Sequence, residues 1–433
     1  MTGTARENEE RSVWSATAAI RALACEPLEE DAQADVAIVG GGFCGLSSAL
    51  HLAEMGVKVR LMEAHSIGFG ASGRNGGQAN PGVKLGEEAL AARFGEAGRG
   101  LFRLGEEAVD FLADLVARKG LECRFRKPGV IRLAHSEAAL RATQEACEAL
   151  RKRGIAADLL SAREAAEMVG TRHYSGGMID PRGGNLHPLD LARELARAAG
   201  EAGARIHADS PVTGLSQVGD RWKVSTAQGG VTADQVLIAT NGYTDGLVPF
   251  LARSLLPVNS FQIATEPIDP AVCEDILPGG QAAYDSRRLI LYFRKTADRR
   301  VILGGRASFS TSRDDRRSAG DYDVLVQVLH QLFPRLTRTR IAHRWTGLVC
   351  ITPDFLPRYH APAPGLHVAL GFNGRGVAMA TRTGAWLARK LTGREDTGEI
   401  PATPIRPIPF HAVREPFLDL AMRWNHLMDR LGR

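Results

Sequence analysis

The chain has 433 residues, 44% hydrophobic and 24% charged, with a formal net charge of +5. That length predicts two domains around a large core, and the excess charge is spread through arginines such as Arg172, Arg287 and Arg338, unlike a basic nucleic-acid arm. No apolar run reaches the ~18 to 20 residues of a membrane span, and the six cysteines (Cys25, Cys44, Cys123, Cys147, Cys273, Cys350) form no C-x-x-C pair, so reduced thiols in a cytoplasmic protein are expected, without disulfides or zinc.

Met1 to Ala32 is an arm ahead of the first strand, polar and acidic at its start, with Val13-Trp14 and Ala16 to Leu23 able to pack on a body. Asp35 to Val39 is a β-branched run of the buried parallel type. Gly40, Gly42 and Gly45 follow as G-x-G-x-x-G, and Phe43, Leu46, Leu50 and Ala53 continue at helical spacing until Gly56. Val57 to Met62 reads as a second strand, ending in Glu63 eighteen residues past Gly45. The glycines permit a tight turn, a close approach to a pyrophosphate and close helix packing, while the acidic residue accepts from a ribose. Gly40, Gly42, Phe43, Cys44, Gly45, Glu63 and Ala64 are thus the first candidate cofactor segment.

The next stretch, Gly68 to Gln78 (GFGASGRNGGQ), is too rich in glycine for the helix a nicotinamide domain would place there. It resembles the amine and amino-acid oxidase family of flavoproteins, the D-amino-acid oxidase superfamily in the broad sense, and most of all the branch of γ-glutamylputrescine oxidase and bacterial L-pipecolate oxidase. The resemblance implies non-covalent FAD, with Ser72, Gly73, Arg74, Asn75, Gly76, Gly77 and Gln78 about the flavin.

Leu85 to Lys119 predicts one or two helices, Cys123 to His135 strand character, and Ala138 to Arg153 a helix. His187 and Pro188 open another helix, His187 as a capping or packing residue. Ala204 to Val212 resembles the family segment that returns to the adenine, with Val212 touching it. The strand Val231 to Ile238 ends in Thr240, Asn241 and Gly242, which resemble the second dinucleotide signature. Leu256 to Thr265 and Ala283 to Arg306 read as antiparallel strands of a covering sheet, and Tyr322 to Leu336 as a helix. Leu366 to Leu370 then runs into Gly371, Asn373, Gly374, Arg375 and Gly376 and a helix to Leu391, the family loop that closes the flavin site. A proline-rich linker precedes an amphipathic helix over Glu415 to Leu431.

The expected fold is therefore α/β: a Rossmann-like FAD domain with a central parallel sheet, and an α+β substrate domain on a mainly antiparallel sheet. The expected boundaries are 1–32 for the arm, 33–84, 155–250 and 340–395 for the FAD domain, 85–154 and 251–339 for the substrate domain, and 396–433 for the linker and last helix.

The resemblance implies oxidation of a carbon–nitrogen bond of a small amine or amino acid, with oxygen as acceptor and hydrogen peroxide as product. No general base is assigned, and monomer and homodimer stay open. Arg294 is the expected carboxylate anchor, with Arg306 second, and Tyr292, Tyr284, Trp345 and Asn373 are further pocket candidates. Lining up the T-x-D segment Thr352-Pro353-Asp354 puts Gly347, not Cys350, where sarcosine oxidases attach their flavin. Ile302 stands where those enzymes carry a lysine that helps oxygen react, so a dehydrogenase using a quinone or carrier is the alternative, with an RNA-acting or non-catalytic flavoprotein behind it.

Overall fold

The run Ala34–Val39 lies at the centre of an eight-stranded sheet in the computed structural model, which describes residues 12–308, 315–394, 400–414, 424 and 428. Five strands run parallel in the order Leu366–Leu370, Gly230–Ile238, Asp31–Val39, Val59–Met62 and Arg205–His207. Strands covered on both faces need apolar residues at successive positions, and Ala37, Ile38, Val236, Leu237, Val368 and Leu370 are all buried. Val36 and Ile38 face the helices Phe43–Glu54, Glu96–Lys119, Pro188–Glu201 and Gly376–Leu391, which share a core of Leu46, Leu50, Leu101, Leu112, Leu195 and Leu387. Ala37 and Val39 face the other way, toward Trp222, Val248, Leu251 and Leu255.

A second eight-stranded sheet runs Ile341–Ile351, Leu256–Thr265, Val301–Ser308, Tyr292–Lys295, Ala282–Asp285, Val130–Ala134, Gly176–Asp180, Asp158–Ser161. All its neighbours are antiparallel except Ala282–Asp285 beside Val130–Ala134. Phe261, Ile263, Phe293 and Leu303 pack there against Leu325 and Leu329 of the helix Asp315–Leu332. The fold class is the one expected.

Four segments join layers other than those expected. Asp158–Ser161, Gly176–Asp180 and Ile341–Ile351 pair into the covering sheet, and Glu96–Lys119 packs into the core of the parallel sheet. A short strand or an apolar stripe states that it needs a partner but not which one. The helix expected over Glu415–Leu431 lies outside the described residues, apart from Trp424 and Met428. No helix of the described residues is long and apolar enough to cross a membrane.

From Ser12 onward the arm is part of the body. Ser12 caps the short helix Val13–Thr17, its Oγ accepting from the Ser15 N–H at 3.1 Å. Asp190 accepts from the Ala19 and Ile20 N–H groups at 3.0 and 3.1 Å, and His187 Nε2 meets Thr17 Oγ1 at 3.2 Å. His187 also caps Pro188–Glu201, with Nδ1 accepting from the Asp190 N–H at 3.1 Å. Burial, reinforced by Arg124 and Arg294, pushes its imidazole down to about 3.

An unfolded chain protonates that imidazole near its ordinary value of about 6.5, so the stability it carries is whole above about pH 6.5 and falls as the pH drops toward 3. Asp190, raised by burial, binds its proton more readily when folded and offsets part of that loss at the acid end. Tm should fall between about pH 6.5 and 4.5, and His187→Asn, which keeps a capping acceptor, should flatten that slope. Parallel slopes would mean that His187 is charged in the folded protein.

Candidate active site

The glycine loop is closed from both sides. Gly40 takes a φ of 114°, and a Cβ there would lie 2.8 Å from Ala239 O. A Cβ on Gly45 would lie 2.1 Å from Gly40 O, so the helix Phe43–Glu54 can sit this close to its strand only on glycine. Gly42 is the N-cap and has no side chain to close the helix end. Glu63 folds back over the loop, with Oε2 accepting from the Gly41 N–H at 2.6 Å and Oε1 from the His65 N–H at 3.0 Å. The Glu63 carbonyl accepts from the Ser210 N–H at 2.8 Å, which brings the stretch leading to Val212 beside Glu63 and Ala64. Phe43 and Cys44 are buried, and burial pushes the Cys44 thiol up to about 12, so both offer a ligand only main chain.

The loop Ser72–Gln78 is held at almost every peptide. Ser72 Oγ accepts from the Phe43 N–H at 2.9 Å, tying the loop to the helix end. Arg74 is buried over the Phe69 ring at 4.5 Å, with Nε donating to Phe69 O at 2.7 Å. The Arg74 carbonyl accepts from Gln262 Nε2 at 2.6 Å and Trp345 Nε1 at 3.0 Å. Asn75 accepts the Gly77 N–H at 2.8 Å through Oδ1, and the Trp14 Nε1–H at 2.7 Å through its carbonyl. A Cβ on Gly73 would lie 2.4 Å from Gly68 O, and one on Gly76 would lie 2.8 Å from Tyr292 Cε2. Gln78 and Ala79 then pair with Gly184 and Asn185.

The late loop closes on the second signature. Asn241 takes a φ of 47°, and its Oδ1 accepts from the Gly371 N–H at 2.9 Å. Gly242, next after Asn241, packs against Leu348. Asn373, at a φ of 51°, accepts the Thr352 N–H at 2.9 Å through Oδ1 and donates Nδ2 to Gly371 O. Gly374 has open space where a Cβ would stand, and Gly376 starts a helix that no side chain of its N-cap Arg375 closes. That helix packs on the first through Gly384, whose Cβ would lie 2.6 Å from Cys44 O.

Two buried side-chain atoms beside the middle loop, Arg74 Nη2 and Gln262 Oε1, have no hydrogen-bond partner among the described residues. An unmade donor and an unmade acceptor at a glycine-lined surface fit the polar edge of a flat ring. The two helix N-termini, neither capped by the side chain of its own N-cap residue, and the Gly40–Gly45 cradle fit a pyrophosphate. A profile of the family described as FAD dependent oxidoreductase, DAO, matches residues 35–390.

The chain belongs to the DAO family.

FAD is therefore its cofactor. This DAO-family chain is 32% identical to the γ-glutamylputrescine oxidoreductase of Escherichia coli (strain K12), over 98% of its own length and 99% of the other's. It is 24% identical to the sarcosine oxidase subunit beta of Arthrobacter sp, over 92% and 93%. The crystal structure of glycine oxidase from Geobacillus kaustophilus shares the fold, with a TM-score of 0.75 at 23% identity over 87% of this chain and 99% of that one.

The covering sheet lays part of the expected pocket against the middle loop. The Tyr292 hydroxyl meets Ser260 Oγ at 3.1 Å, and burial pushes its phenol up to about 12. Trp345 is buried on Arg74 O, and Tyr284 pairs with Tyr292 along neighbouring strands. The side chain of Arg306 lies outside the described residues. Arg294 is placed otherwise than a substrate anchor requires: its fork already donates to Gly77 O, Leu186 O and Asn185 Oδ1. Gln262 and Trp14 touch the loop and were not expected there. Gln262 had a signal, a lone amide inside the apolar strand FQIAT, whereas nothing local to Trp14 names Asn75 as its partner.

Proposed function

We propose that this enzyme oxidises the carbon–nitrogen bond of a small amine that also carries a carboxylate, of the γ-glutamyl-polyamine or cyclic and N-substituted amino-acid type, giving an imine, with oxygen taking the electrons. The supporting observation is that Gln262, Tyr292 and Trp345 of the covering sheet bound the loop Arg74–Gln78, which sets two aromatic side chains of one sheet beside the glycine loop of the other. We take those sheets as the cofactor and substrate units. FAD supplies the acceptor for the hydride that leaves the carbon next to nitrogen. The chain orients the substrate and excludes water, which is most of what this chemistry asks of a protein. Tyr292, neutral at physiological pH, can hold a polar group of the substrate. With the Arg294 fork occupied, Arg375 takes the role of carboxylate anchor: it is half-buried at the late loop, with Nη1 on Pro81 O at 2.6 Å. The flavin is held non-covalently, since Gly347 faces Arg74 and burial keeps the Cys350 thiol protonated, pushed up to about 12.

One observation favours transfer to a quinone or carrier instead. Ile302 is buried among Val13, Trp14, Leu189, Ala264 and Trp345, so no lysine stands at that position, and its cross-strand neighbour Arg294 is turned to the Gly77 and Leu186 carbonyls. Anaerobic mixing of the holoenzyme with γ-glutamyl-polyamines and cyclic or N-methyl amino acids should bleach the flavin with at least one of them. Admitting oxygen should then yield peroxide equal to the imine formed, and acid precipitation should leave FAD in the supernatant. Bleaching reversed by a quinone but not by oxygen selects the carrier reading. Flavin that no amine bleaches would sink both, and flavin carried down with the chain would overturn the non-covalent site.

A further inference from the structure

We infer that Arg294 is a positioning residue that raises the electron affinity of the flavin, acting with an uncancelled positive charge through the Gly77–Gln78 peptide. The inference rests on the reading that the loop Arg74–Gln78 holds the flavin ring.

Arg294 is 6% exposed, in the middle of the covering strand Tyr292–Lys295. Nη1 donates to Gly77 O at 2.8 Å and Leu186 O at 2.7 Å, and Nη2 donates to Asn185 Oδ1 at 3.2 Å. All three acceptors are neutral. Burial alone acts on its titration, pulling it down to about 10, so it remains a cation at neutral pH, and no carboxylate contributes. Its guanidinium carbon lies 5.7 Å from the centre of the Trp14 ring. Proteins seldom bury a charge without a partner, because neutral acceptors make up only part of the lost hydration.

The geometry names what the charge can act on. A Cβ on Gly77 would lie 2.3 Å from Arg294 Nη1, so the bare main chain of the loop is all that covers the guanidinium on that side. The Gly77 carbonyl is taken up by Arg294 and by the Leu186 N–H at 2.9 Å. In a trans peptide the Gln78 N–H points opposite to that carbonyl, and no cis bond is present. The cation and the peptide dipole therefore present positive potential to the far face of the loop. A flavin there is neutral when oxidised and gains negative charge when reduced, so the interaction favours the reduced form.

Two variants of the holoenzyme remove the charge in different ways. Arg294→Gln keeps a donor for the two carbonyls. Asn185→Asp keeps Arg294 and its hydrogen bonds but sets a carboxylate on Nη2. Arg294→Lys is the control that keeps the charge and loses the fork. The readout is the equilibrium between bound flavin and a reference dye of known potential. Loss of one charge acting across the loop through a partly screened medium predicts a fall of about tenfold or more in the reduction equilibrium constant for Arg294→Gln and Asn185→Asp, and less than about threefold for Arg294→Lys. Should Arg294→Gln fail to hold FAD, Asn185→Asp carries the test alone. An unchanged equilibrium in Asn185→Asp, or an equal fall in Arg294→Lys, overturns the inference. Wild-type protein that holds no flavin would instead overturn the reading beneath it.

Discussion

Gly45→Ala should purify without FAD. The added Cβ would stand 2.1 Å from Gly40 O, more than an ångström inside any normal contact, and the atom it meets is main chain that no rotamer can move. Either the helix Phe43–Glu54 lifts from its strand or the Gly40 turn opens, and both displace the N–H groups that would meet the pyrophosphate. Overpacking of this kind costs about 1–3 kcal/mol in a core, and here the strain falls on the binding loop itself. FAD affinity measured by flavin fluorescence should fall by about a hundredfold or more, near 2.7 kcal/mol. Gly200→Ala is the control. It lies in the helix Pro188–Glu201 with nothing near its Cβ, and it should match or slightly exceed wild type in stability. A fully flavinated Gly45→Ala protein would show that the loop has room the structure denies it.

Glu63→Ala should lower FAD affinity about ten- to hundredfold, since one lost charge-assisted hydrogen bond is worth ~1.5–3 kcal/mol. The carboxylate braces Gly41 and His65 as well as standing where a ribose would be, so the alanine variant alone does not separate brace from ligand. Glu63→Gln does. Its remaining oxygen can keep the Gly41 N–H, while a ribose diol needs acceptors on both sides. If the ribose binds here, Gln should lose nearly as much affinity as Ala; if Glu63 is only a brace, Gln should stay close to wild type. Unchanged affinity in Glu63→Ala would place the ribose elsewhere.

The sequence was legible where physics is local. Asp35–Val39, the spacing of Gly40, Gly42 and Gly45, and the apolar stripe of Glu96–Lys119 each state their own conformation, and the structure has them. The longest covering strand, Ile341–Ile351, went unread because it is half-buried and carries His343 and Arg344 within it, so its alternation is blunt. Asp158–Ser161 and Gly176–Asp180 went unread too, because strands of four and five residues carry too little alternation to stand out locally. Arg294 shows the limit most sharply. An arginine between aromatic residues on a strand looks the same in sequence whether its fork points into a cleft or closes on Gly77 O and Leu186 O, because that choice depends on residues more than a hundred positions away.

The strand order of the parallel sheet has a consequence for synthesis. Asp31–Val39 lies between Val59–Met62 and Gly230–Ile238, and the latter in turn needs Leu366–Leu370. On the ribosome the first strand therefore waits for one of its neighbours until translation has passed residue 230, roughly 10–40 s at ordinary elongation rates. Through that interval it is an apolar ribbon with an open edge, the surface on which nascent chains pair with one another. The late loop appears only after the last parallel strand, so the cofactor can be enclosed only near the end of translation. Slower initiation at low temperature, which thins the crowd of half-made chains, should raise the soluble yield more than added riboflavin does.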